Sequence, residues 1–452
     1  MSRISTTPIA DETRRILALA WPVMLTSLNW TILHVTDVIV VGLTGTEQVA
    51  ALGASRALTF PGIVMGLGAL TGVLVHVSRA DGAKDLPETG RVLHQGVLLA
   101  IALGLVSALL LFAFAEPMLR GIGVAGVVAP LAADVVRVMA LAYPFQLLII
   151  AGSFFLEGVS RPQRVTVVNL AILPINAVLA WALSGGHLGL PEMGATGAAL
   201  ATAIASALGA AGMLGAAWTL PRARQRGVHD LAGIFRRESL KGALGLAKFG
   251  LVPAIASGLE LVGFSILIAL STELGDVTTH AFQIVFSIHN VTFSVALGLG
   301  SAAGVRVGNA VGEGVPEAAA RRTAIAAALA ALATGLLAVL LILAPQPLVA
   351  LFPSVPSVHL LALAMLPVWA PFILFDGMQV VFVYALRSLG DQVVAGINSV
   401  IAFFLVTGGA GLALVHLAGW GANGLVLASG SGMVVAAALH GARLWRVSRR
   451  LR

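Results

Sequence analysis

Residues 250–269 read GLVPAIASGLELVGFSILIA, and residues 366–384 read LPVWAPFILFDGMQVVFVY. Each run is long enough to cross a bilayer, which takes about 20 apolar residues in a helix. Each also carries one carboxylate near its middle, Glu260 in the first and Asp376 in the second. A charge at that depth costs roughly 2.5–3.5 kcal/mol even on the milder scale, so it normally faces a bundle interior or a water-filled cavity and marks an ion or substrate path. A third acid, Asp37, has the same setting in TILHVTDVIVVG (31–42).

The rest of the chain fits that reading. Of 452 residues, 58% are hydrophobic and only 10% charged, where soluble domains carry about 25% charged residues. The apolar runs separate into twelve predicted spans: 15–42, 48–78, 92–115, 130–156, 163–184, 196–219, 242–271, 277–305, 323–344, 358–387, 393–416 and 421–444. None alternates strictly, and in lipid only helices or closed barrels satisfy the backbone, so these are helices. The chain has no cysteine, which excludes disulfides, thiolate catalysis and Cys-based metal sites. The opening residues MSRISTTPIADETRR lack the apolar core of a signal peptide, so the first helix is expected to stay as a span.

A net charge of +7 raises the question of an anionic partner. Its distribution answers otherwise. All the Lys and Arg except Arg56, Arg120 and Arg137 fall at the termini or in alternate connections, at 79–91, 161–164, 222–248, 306–322 and 387. Excess Lys and Arg in alternate loops is the positive-inside pattern. It predicts both termini in the cytoplasm and a lipid bilayer rather than a nucleic acid as the partner.

The chain also repeats itself. GLGALTGVLVHVSRADGA (66–83) aligns with GLGSAAGVRVGNAVGEG (298–314), and MGATGAALAT (193–202) with WGANGLVLAS (420–429), at an offset that stays between 227 and 232 residues. The predicted fold class is therefore an all-α membrane protein with twelve transmembrane helices in two pseudo-symmetric six-helix bundles. The expected divisions are an N-lobe at 1–220, a cytoplasmic linker at 221–241 and a C-lobe at 242–452. Parallel repeats of this kind place a transport site between the halves.

Around the three acids, helical spacing gathers further candidates. His34, Trp30 and Asn29 share a stripe with Asp37; Trp369, Phe372 and Gln379 flank Asp376; Gln283, Ser287 and Asn290 share a face of the eighth span. Asn169 and Asn176 are intramembrane amides of the fifth span. His280 and His289 have neither metal-ligand spacing nor a nearby acid triad. With no Lys or Arg near the middle of the acid-bearing spans, the interior is expected to hold carboxylates, amides and aromatic faces but no buried base. Such a surface suits hydrophobic cations, through charge and cation–π attraction. No Walker motif occurs, so ATP-driven transport within the chain is not expected. Neither is an enzyme, which needs a nucleophile–base or metal-binding pair at one depth.

TDVIVVG (36–42), the paired glycine segments, Glu260, HAFQI (280–284), FDGMQ (375–379) and the GATG/GANG pair together resemble the multidrug and toxic compound extrusion (MATE) family over essentially the whole chain, and its NorM-like branch most. The resemblance implies a multidrug antiporter of the bacterial inner membrane that exports cationic and amphiphilic compounds in exchange for H+ or Na+. It implies coupling-ion residues at Glu260 and Asp376, with Asp37 and Asn176 in the N-lobe. Gln283 would border the substrate cavity, where Ser287, Asn290, Phe372, Gln379, Trp30 and His34 are further expected substrate contacts. Relatives place Tyr where this chain has Phe372, and Asp or Asn where it has Ala180. Both changes remove oxygen donors from a metal cation, so H+ is expected as the coupling ion, with Na+ at Glu260 and Asp376 the other option. No cofactor is expected, and the chain is expected to be a monomer. A lipid-linked saccharide flippase of the same superfamily is the alternative function.

Overall fold

The computed structural model describes residues 8–451, and within them the ordered structure is helical. Eleven of the described helices are long and apolar enough to cross a membrane, and the pair Val128–Ala140 and Tyr143–Gly158, bent by 48°, supplies a twelfth span. The bend has a local cause. Pro144 opens the second piece, and proline can neither donate a helical hydrogen bond nor share space with the preceding turn.

Several helices run past the predicted spans. The first is Ile9–Gly42, the second Thr46–Gly82, the third Leu86–Gly121, the seventh Arg237–Glu273, the eighth Asp276–Gly312 and the twelfth Gly421–Arg450. An apolar window ends where lipid ends, whereas a helix continues until something caps it. Asp85 caps the third, accepting a hydrogen bond from the Glu88 amide at 3.0 Å with proline in the first turn, and this arrangement satisfies an otherwise orphaned donor. The tenth span, Pro356–Ser388, is broken differently. A 3₁₀ turn at Ala370–Phe372, carrying Pro371, divides it and puts Asp376 in the first turn of its second half. The eleventh span, Gln392–Leu417, is wound as π-helix over Val400–Gly408 and Ala413–Leu417.

Two compact units result. One comprises residues 25–81 and 85–254; the other comprises 1–24, 82–84 and 255–452. Tyr143, Phe155 and Met213 are fully buried in the first; Trp369, Phe403 and Leu267 are buried in the second. Leu332, Leu336 and Leu343 of the ninth span are by contrast more than half exposed, as side chains against lipid tails must be. Backbones approach closely where glycine permits. A Cβ at Gly250 would collide with the Ala69 carbonyl in the first unit, and one at Gly263 with the Phe403 carbonyl in the second.

The segment between the sixth and seventh spans is pinned to its unit. Arg226 binds Asp81 at 2.8 Å and the Thr89 hydroxyl at 3.0 Å, and a short 3₁₀ helix, Leu231–Phe235, follows. A more deeply buried pair lies in the second unit. Arg306 grips both oxygens of Glu12, at 2.6 and 2.8 Å, in the two-pronged geometry that guanidinium and carboxylate favour.

Candidate ion and substrate sites

The helical stripe read from Asp37 is intact in the fold. Trp30, His34 and Asp37 line a cavity of about 110 Å³ together with Arg56, Gln146 and Asn176. The His34 ring meets Trp30 and Phe60 edge-on, with centroids 6.5 and 6.2 Å apart. Asn169 also lines the cavity, and its carbonyl accepts a 3.3 Å hydrogen bond from the buried Asn29 amide. Asp37 itself is buried, and Asn176 lies within reach of its carboxylate.

Here the expected absence of a buried base is wrong. Arg56 Nη2 lies 3.3 Å from Asp37 Oδ2 and donates also to the His34 carbonyl at 3.2 Å. Arg56 lies in the second helix and Asp37 in the first, and pairing across spans leaves no trace in the periodicity of either one. A lone arginine inside an apolar helix, facing a lone acid in another, was the available signal. Three oxygens of the cavity remain without a donor: Asp37 Oδ1, Asn176 Oδ1 and Gln146 Oε1. Gln146 sits in the apolar run YPFQLLII (143–150), where nothing in the sequence sets it apart.

In the second unit Asp376 is buried and accepts a 3.1 Å hydrogen bond from Gln379 Nε2. Glu260 is half-buried and near enough to Asp376 and Arg387 to interact with both charges. Arg387, at the very end of the predicted tenth span, lies within the helix Ile373–Ser388 and is half-buried, with its guanidinium 5.7 Å from the Tyr384 ring. It is the second base that the sequence did not reveal.

His289 is the other omission. It is buried in an aromatic surround of Phe264, Phe286, Phe293 and Trp369, with the Trp369 ring edge-on at 5.3 Å, and it lies within electrostatic range of Asp376. Its acid neighbour comes from a different span, so inspection of the eighth span alone missed it.

The expected substrate contacts of this unit have varied settings. Gln283 and Asn290 are exposed, and Ser287 donates to the Gln283 carbonyl at 2.8 Å. Phe372 is half-buried, its ring against the backbone of Gly430. Gln379 turns toward Asp376 rather than toward open space.

The chemistry differs between the two sites. In the first, one acid faces one base. In the second, Glu260 and Asp376 lie in range of each other and Arg387 in range of Glu260, so two acids meet one strong base. A monovalent cation suits such a site. The donors on hand for Na+ are Glu260, Asp376 and the Gln379 amide oxygen, and no cluster of three His, Asp or Glu ligands occurs among the described residues.

Comparisons with known proteins agree with this architecture. The family model MatE matches residues 22–182 and 253–408. A probable multidrug resistance protein NorM of Mesorhizobium japonicum is 31% identical over 95% of this chain and 92% of its own length. One from Bradyrhizobium diazoefficiens is 32% identical over 98% of this chain and 95% of its own. Among solved structures, a eukaryotic MATE transporter superposes with a TM-score of 0.86 at 20% identity, covering 98% of this chain and 99% of that one.

Proposed function

The chain belongs to the MatE family, and we propose that it works as a multidrug efflux antiporter, exporting amphiphilic cationic compounds in exchange for a monovalent cation. Family membership makes it a multi-pass membrane transporter and not an enzyme. The observation that carries the antiport reading is the meeting of two acids, Glu260 and Asp376, with a single arginine, Arg387, in range of Glu260. A buried unpaired charge is costly. A bound cation removes that cost, and the site therefore favours whichever conformation of the protein lets the cation in.

The coupling ion we favour is H+. Phe372 offers no oxygen to a metal, and Ala180 offers none in the other unit. A proton needs only one carboxylate oxygen, whereas Na+ needs several hard donors. The distribution of Lys and Arg supports placing both termini in the cytoplasm, in the inner membrane of a bacterium. We take the working unit to be a monomer.

The test is ethidium efflux from proteoliposomes under separately imposed gradients. Efflux driven by a proton gradient in sodium-free buffer is the expected result. Efflux that follows a sodium gradient at clamped pH would replace H+ with Na+, and flux indifferent to both would end the antiport reading.

A further inference from the structure

The polar entry to the seventh span presents a surface that neither acid site uses. Its backbone is fixed from within. Asp230 accepts a hydrogen bond from the Gly233 amide at 3.0 Å, and the Ser239 hydroxyl donates to the Gly233 carbonyl at 2.7 Å. These bonds tie the 3₁₀ helix Leu231–Phe235 to the first turn of the helix Arg237–Glu273. Apolar side chains are nevertheless turned outward here: Phe235 is 83% exposed and Leu231 59%. Exposed apolar groups gathered in one place mark an interaction surface.

The helix that follows continues that surface. Ser239, Ala243, Leu246 and Gly250 are buried and recur every three or four residues, so they form the face turned into the protein. On the opposite face Leu240, Leu244 and Leu251 are more than half exposed. Arg237, Lys241 and Lys248 are exposed among them. The charge of this region is one-sided, since residues 221–248 hold seven Lys and Arg against two acids, Asp230 and Glu238. Arg226 is bound to Asp81 and Arg236 to Asp230, each at 2.8 Å. Arg237 and Lys241 have no acidic partner among the described residues.

We propose that this surface is a binding site for an anionic phospholipid of the leaflet that bounds this end of the helix. The lipid phosphate lies between Arg237 and Lys241, whose charges it complements. Its acyl chains run along Leu240, Leu244 and Leu251, while Leu231 and Phe235 enter the boundary between headgroups and chains, as the apolar side of an interfacial element does. Lys248 lies deeper and returns its ammonium to the headgroups along its methylene stem. A zwitterionic lipid fits less well, because its choline brings a positive charge to a surface that already has several. The site depends only on this helix crossing a bilayer, and not on what the chain exports.

The chain has no cysteine, so Ala232→Cys, at an exposed position between Leu231 and Phe235, gives a single attachment point for a bimane fluorophore. The labelled full-length protein is reconstituted in phosphatidylcholine vesicles with a trace of spin-labelled quencher lipid, either phosphatidylglycerol or phosphatidylcholine. Phosphatidylglycerol should quench roughly 5-fold more strongly than phosphatidylcholine at the same mole fraction, the preference that a single basic residue near a membrane surface supplies. Arg237→Gln/Lys241→Gln should bring that ratio to about 1. Salt at about 1 M, which shortens the screening length to about 3 Å, should lower it without any substitution in the site. Arg446→Gln/Arg449→Gln, in the basic end of the twelfth helix, should leave it unchanged. Because each ratio is taken within one preparation, the amount of folded protein cancels. Equal quenching by both lipids would mean that the surface touches the bilayer without choosing. Quenching by neither would make it a solvated face, and a ratio unchanged in Arg237→Gln/Lys241→Gln would place the choice elsewhere. Each of these results overturns the proposal.

Discussion

Asp37 and Asp376 are both buried acids in apolar helices, yet the protein treats them differently. Asp37 has a guanidinium at 3.3 Å, while Asp376 has an amide at 3.1 Å and an imidazole nearby, and the arginine of that region, Arg387, is in range of Glu260. The repeat has duplicated the scaffold without duplicating the charges. At the repeat offset, Asp37 falls opposite apolar or hydroxyl residues such as Phe264 and Ser265, and Asp376 falls near Gln146. A site that is neutral by itself has little need of a coupling ion, and a site with one carboxylate in excess invites one. On this difference rests our proposal that the coupling ion binds in the second unit.

The sharpest way to break this contrast is functional. Asp376→Asn and Glu260→Gln should each reduce gradient-driven ethidium efflux to the level of transporter-free liposomes at normal expression, whereas Asp37→Asn should retain measurable gradient dependence. Equal losses at all three positions would erase the distinction between the units.

Stability offers the next test, through a pair that is unambiguously structural. Glu12 and Arg306 are both nearly inaccessible, with side-chain exposures of 4% and 8%. Glu12→Ala leaves Arg306 without its main partner, and breaking a buried pair from one side costs roughly 3–5 kcal/mol. A large drop in melting temperature is expected, partly relieved in the Glu12→Ala/Arg306→Ala double variant, because neighbouring sites are not additive.

Between the two acids the same logic gives a smaller and more telling difference. Asp37→Asn uncovers Arg56, which retains 27% exposure, so the loss should fall below the fully buried case, at about 2–3 kcal/mol. Asp376→Asn removes a charge from a site with one in excess and should cost less than about 1 kcal/mol, or stabilise. Thermal melts of the two isosteric variants in one detergent provide the comparison. A larger drop for Asp376→Asn would contradict the charge assignment.

The smallest effect belongs at the surface. Arg137 and Asp134 touch at 2.7 Å, but their side chains are 36% and 60% exposed. Exposed pairs contribute about 0–1 kcal/mol, so Arg137→Ala should leave the melting curve almost unmoved.

Much of this architecture is written along single helices and was legible there. Span number follows from apolar length, and the repeat from the glycine segments; Glu260, Asp37 and Asp376 stand out because each is alone in oil. Arg56, Arg387 and His289 were not legible, because their meaning depends on a residue from another span. Periodicity reports which residues share a face, not which face that face meets. The long helical extensions escaped for a related reason. Hydropathy measures contact with lipid, whereas the turn Arg306–Gly312 is polar in composition and stays helical with Arg306 paired to Glu12. The breaks at Pro144 and Pro371 were visible as prolines, but only neighbouring packing decides whether a proline bends a span or merely starts one.

The most direct measurement follows the proton itself. Drug added to purified protein in weakly buffered detergent should release protons from wild type and from Asp37→Asn, read with a pH-indicator dye, and should release none from the Glu260→Gln/Asp376→Asn double variant. Undiminished release from that double variant, or none from wild type, would contradict the claim that these two carboxylates hold the coupling ion.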